Sequence, residues 1–95
     1  MKVSKLSSVT VERKTFTGEK FAYNVEVTKE DGLPKRIVAV SIQKVDPEPN
    51  EPQYYGNINF DGMNFLISLT SLLTAEDRIM IHSEFEEIVT GTLAE

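Results

Sequence analysis

Asp61-Gly62-Met63-Asn64-Phe65-Leu66-Ile67-Ser68-Leu69-Thr70-Ser71-Leu72-Leu73 is the stretch that decides the fold, because two periodicities compete in it. Asp-Gly between alternating flanks is the strongest short hairpin signal, and it would pair Phe60 with Met63 and Ile58 with Phe65. The apolar residues Phe65, Leu66, Leu69, Leu72 and Leu73 also form one stripe of a helix, with Asn64, Ser68 and Ser71 opposite. Asp61 would then be the helix N-cap. The run is rich in leucine and poor in β-branched residues, so the sequence predicts a helix over 62–73.

Outward from this stretch the signals are plainer. Phe21, Tyr23, Val25 and Val27 alternate with Ala22, Asn24, Glu26 and Thr28, a strand with one buried side. A β-branched and aromatic segment precedes it, across the turn at Thr17-Gly18-Glu19. Glu30-Asp31-Gly32-Leu33-Pro34 ends it, since glycine and proline both oppose a continuing ladder. A third strand resumes at Arg36, with Val38, Val40 and Ile42 expected on one face and Ile37, Ala39, Ser41 and Gln43 on the other. Three prolines and three acids within residues 46–52 read as an extended, flexible, solvated loop. Tyr54 to Phe60 follows as a fourth strand.

After Leu73, Thr74-Ala75-Glu76-Asp77 has the form of a helix start. Ile81, Phe85, Ile88 and Val89 make its apolar stripe, and Gly91 is the expected stop. The expectation is therefore an α+β fold in a single domain, residues 1–95. It has a four-stranded antiparallel meander (strands about 7–16, 19–29, 36–45 and 53–60), then two C-terminal helices (about 62–73 and 75–90) packed on one face. The expected core is Phe21, Tyr23, Val25, Val27, Val40, Ile42, Ile58, Phe60, Phe65, Leu69, Ile81, Phe85 and Ile88.

Composition narrows the chemistry. The 95 residues include no cysteine, which removes disulfides, thiolate nucleophiles and thiolate metal sites. No apolar run is long enough to span a membrane. Two early lysines have no apolar segment behind them, so no export signal is read and a cytoplasmic location is expected. Net charge is −5, divided unevenly: residues 1–44 balance at +4 and residues 45–95 at −9. Such a dipolar surface can orient a partner or a second copy.

No catalytic constellation accompanies this composition. His82 is the only histidine, and Ser83 beside it on a helix cannot face it. Glu84, Glu86 and Glu87, with Glu76 and Asp77, read as a solvated acidic face rather than an acid–base pair in a cleft. Asn57, Asn59 and Asp61 share a strand face, but with one carboxylate they make a poor cation site. No glycine-rich phosphate loop is present. No enzyme activity, cofactor or metal is expected.

Two functional expectations lead, with an enzyme of unrecognised type as a third. The first is a small interaction module, self-associating as a homodimer or protein-binding, with Ile79 and Met80 as an apolar pair rimmed by glutamates. The second is a single-stranded nucleic-acid binder, with Lys14, Lys20, Lys35, Arg36, Tyr54 and Tyr55 as contacts, although the acidic net charge opposes it. A four-stranded sheet followed by helix is similar in element order to small single-stranded-DNA-binding coactivator and Pur-type modules, a likeness of fold that no shared motif carries.

Overall fold

A computed structural model describes residues 8–51 and 54–94. The chain forms five strands and one helix: β1 (Val9–Thr17), β2 (Phe21–Glu30), β3 (Leu33–Lys44), β4 (Gly56–Phe60), β5 (Phe65–Leu69) and α1 (Ala75–Leu93). The strands make one antiparallel sheet in sequence order, with β1 and β5 at its edges. The class is α+β as expected. The count differs: five strands and one helix replace four and two.

The difference lies in residues 62–73, where the hairpin prevails over the helix. Asp61 Oδ1 accepts hydrogen bonds from the N–H groups of Met63 (2.9 Å) and Asn64 (2.8 Å). Gly62 takes φ +103°, and the Asp61 N–H donates to the Asn64 carbonyl. The carboxylate that could cap a helix instead closes a turn, a role aspartate fills equally well. Phe65 then pairs with Phe60 and Ile67 with Ile58, so the loop is two residues longer than an Asp-Gly turn predicts. Phe65, Ile67 and Leu69 alternate as a strand within the same run whose leucines are spaced for a helix, and tertiary pairing decides between them.

Bounds shift elsewhere for identifiable reasons. Asp31 and Gly32 both adopt positive φ, 54° and 82°, the two-residue turn whose twist matches paired strands. This turn joins β2 directly to β3, so β3 starts at Leu33 rather than at Arg36. Asn24 pairs with Ser41 and Val25 with Ala39, leaving Val40 as an extra residue in β3. A bulge of this kind reverses the in–out parity of the strand. Ile37 and Ala39 therefore join Ile42 in the core, and Val40, expected inside, is exposed. An Asn24-to-Ser41 side-chain bond of 2.8 Å lies beside the bulge. Ser7 and Gln53, the expected first residues of two strands, lie outside the described residues.

Helix α1 begins as read: Thr74 Oγ1 accepts from the Asp77 N–H at 3.1 Å. It does not stop at Gly91 but runs to Leu93, with the Ala94 N–H bonded back to the Thr90 carbonyl. Glycine costs a helix interior about 1 kcal/mol relative to alanine. Beyond it the last turn buries Thr92, which gives the helix reason to continue.

The core lies between α1 and one sheet face. Ile81, Phe85, Ile88 and Val89 pack with Phe21, Tyr23, Val25 and Val27 of β2, Ile37, Ala39 and Ile42 of β3, and Ile58 and Phe60 of β4. Tyr55 and Leu73, not expected there, complete it. Phe65 and Leu69, expected inside, are only partly covered. The Pro-rich segment is exposed from Asp46 to Asn50, while the Glu51 carboxylate bonds Lys44 and the Tyr55 hydroxyl. Truncation should separate core from bulge. Phe85→Ala should cost about 3–5 kcal/mol and Ile37→Ala about 2–5 kcal/mol. Val40→Ala should stay within about 1 kcal/mol. Urea unfolding of the three variants checks this, and equal losses at Ile37 and Val40 would contradict the bulge.

Candidate interaction surface

Strand β5 reads Phe-Leu-Ile-Ser-Leu and sits at the edge of the sheet. No charged residue occurs between Asp61 and Glu76. The other edge is built differently, since β1 carries Glu12, Arg13 and Lys14 within the strand. Edge strands expose unpaired N–H and C=O groups, and charges placed on them discourage unwanted pairing. By that measure β1 is guarded and β5 is open.

Beside β5 runs an apolar groove of about 470 Å³, floored by Ile67 and Leu69 and walled on the helix side by Ala75, Arg78, Ile79 and His82. Ile79 is 70% exposed and Ile67 44% exposed. Phe65 closes one end, its ring centroid 6.3 Å from His82 and 6.2 Å from Phe85. Arg78 is held at the other end, donating to the Leu73 carbonyl at 2.8 Å. Helix and strand thus run in opposite directions along the groove.

Of the two residues read as an interface pair, Ile79 stands in this groove wall. Met80 is half-buried and packs against the core, so the two do not form one exposed patch. No preceding helix exists to cover Ile79. The strand that replaces it leaves the isoleucine open.

The six residues read as nucleic-acid contacts are not brought together. Lys20 Nζ pairs with Asp77 at 2.8 Å, and Lys14 lies near Glu12 on the same side of β1. Arg36 is on the opposite face of the sheet, bonded to Asn59. Lys35 occupies a second bulge, between Thr28 and Lys29 in the register. Tyr54 is exposed and accepts from Asn57, whereas Tyr55 is core. The lopsided charge of the sequence is partly offset inside the chain, because Lys20–Asp77 and Lys44–Glu51 each join the basic half to the acidic half.

A second hollow, about 390 Å³, opens between the β1–β2 turn and the end of the helix, lined by Phe16, Gly18, Tyr23, Glu84 and Glu87. Glu84 is not the solvated residue its neighbours resemble. One oxygen accepts from the Tyr23 hydroxyl at 2.5 Å and the other from the Glu19 N–H at 3.1 Å. A Cβ at Gly18 would overlap that carboxylate, so a larger residue there would require Glu84 to shift. Burial first, and then the bond to Glu84, push the Tyr23 hydroxyl well above its ordinary value. The phenol stays protonated and each carboxylate oxygen accepts a hydrogen bond, so the pair anchors the turn to the helix. His82 Nδ1 lies 3.7 Å from Glu86. Among the described residues no group of three or more His, Cys, Asp or Glu is placed to hold a metal ion, and no helix is long and apolar enough to cross a membrane.

Sequence reasoning weighs a hairpin here but prefers the helix, and so misses Ile67 as a site residue. The available signal was the uncharged run from Met63 to Ala75, read for its spacing rather than for its lack of edge protection. Comparison of the chain with protein families, with curated proteins and with solved structures finds no match.

The turn that creates this surface should be acid-sensitive. The N–H of Asn64, then that of Met63, hold the Asp61 carboxyl below its ordinary value of 3.8. A folded-state value below the unfolded one gives stability that is present above about pH 4 and lost as pH falls through the folded value. Asp77, lowered chiefly by Lys20, acts in the same direction. Melting temperature followed from pH 7 to pH 2 should show a shallower acid limb in Asp61→Asn than in wild type, and parallel limbs would contradict the turn.

Proposed function

We propose that this chain is a non-enzymatic interaction module that associates with copies of itself through its β5 side. The observation that carries this reading is the join of an uncharged edge strand to an apolar groove that exposes Ile79 and Ile67. Contiguous exposed apolar surface with a polar border has the composition of an interface centre and its rim. Arg78, His82 and Glu86 supply that border on the helix.

Sedimentation tests the reading. Wild type, taken from micromolar to near-millimolar concentration, should show mass rising above that of one chain. Ile79→Glu should remain monomeric with an unchanged circular dichroism spectrum, because the residue is 70% exposed and outside the core. Met80→Glu is a poor substitute, since it would place a charge against the core. Pure monomer for wild type at the highest concentration would contradict the reading. A steep, salt-dependent retention on single-stranded oligonucleotide would favour nucleic acid instead.

A further inference from the structure

We infer that the partner on this surface is a second copy of the same strand, paired antiparallel across a twofold axis at Ile67, so that two five-stranded sheets become one continuous sheet. The inference rests on the self-association reading above and specifies its geometry. Two bonds fix which groups of β5 are open: Asp61 N–H to the Asn64 carbonyl, and Thr70 N–H to the Tyr55 carbonyl. In an antiparallel ladder, directly hydrogen-bonded pairs alternate with pairs that are not. Asn64, Leu66, Ser68 and Thr70 therefore direct their backbone groups toward β4. Phe65, Ile67 and Leu69 direct theirs outward, where among the described residues no strand meets them.

Those three residues are spaced for self-pairing. With Ile67 opposite Ile67 of the second copy, Phe65 faces Leu69 and Leu69 faces Phe65, and every outward N–H and C=O gains a partner. Phe65, Ile67 and Leu69 share the helix side of the sheet with Phe60, Ile58 and Gly56. Their apolar side chains would meet across the junction, and apolar cross-strand pairs stabilise a sheet. No charge in β5 opposes like charge in its copy.

The charge pattern on α1 selects this orientation. Arg78 lies toward the Leu69–Leu73 end of the groove, where it bonds the Leu73 carbonyl, while His82 lies beside Phe65, one helical turn before Glu86. An antiparallel pairing sets Arg78 of one copy level with the His82–Glu86 end of the other. A parallel pairing would set Arg78 level with Arg78 and Glu86 with Glu86, which is repulsive. Complementary charge along the groove thus points to one arrangement and to a second copy as occupant.

The absence of cysteine makes the test direct. Paired residues of the hydrogen-bonded type stand about 5.5 Å apart at Cα, inside the range a disulfide spans. In the full-length chain under mild oxidation, Ile67→Cys should form a covalent dimer roughly tenfold or more faster than Leu72→Cys, an exposed control, because facing thiols have a high effective concentration. If Ile67→Cys does not fold, the separate variants Leu66→Cys and Ser68→Cys should cross-link rapidly when mixed and slowly when each is alone. Rates at position 67 no greater than at 72, or equal rates for the mixture and the single variants, would overturn the register. If sedimentation still shows dimers in that case, self-association stands and only this geometry fails. A monomeric wild type removes both.

Discussion

Two N–H groups donating to one carboxylate oxygen of Asp61 set the course of this chain. They turn it back after β4, so that Phe65–Leu69 lies beside Gly56–Phe60 as a fifth strand rather than rolling into a helix above the sheet. Every later feature depends on that choice. One helix covers the sheet where two would have covered more of it, and an isoleucine on its flank has nothing above it. The edge of the molecule becomes the least charged stretch of the sequence.

Local capping chemistry was legible at residue level, and its consequence was not. Asp61 is a good acceptor for N–H groups two and three residues ahead, which serves a helix start and a tight turn alike. The leucines at 66, 69, 72 and 73 satisfy a helical stripe, while Phe65, Ile67 and Leu69 satisfy an alternating one. Only pairing with Gly56–Phe60 separates these readings, and residue spacing alone does not register it. Where spacing admits one reading, the sequence spoke clearly: Phe21 to Val27 alternate and are buried at every second position, and Thr74 caps the helix that carries Ile81, Phe85 and Ile88.

The bulge at Val40 shows the other kind of failure. Val38, Val40 and Ile42 form a regular alternation on paper, and one extra residue divides it. Parity arguments hold only within an unbroken ladder, so Ile37 and Ala39 entered the core through a feature with no residue signature in β3. A basic half and an acidic half suggest attraction between molecules, yet Lys20–Asp77 and Lys44–Glu51 draw the halves together within one chain. What stays open among the described residues is the apolar surface of the β5 side and the outer backbone groups of that edge strand.

The most direct test of this account is residue-resolved amide hydrogen exchange of β5 followed through a dilution series. A strand with an open outer edge protects alternate amides when monomeric: Leu66, Ser68 and Thr70 slow, Phe65, Ile67 and Leu69 fast. The account predicts that alternation at low concentration, and slowing of the fast three alone as concentration rises and a second strand closes the edge. Uniform protection across 62–73 at every concentration, as a helix would give, would contradict it.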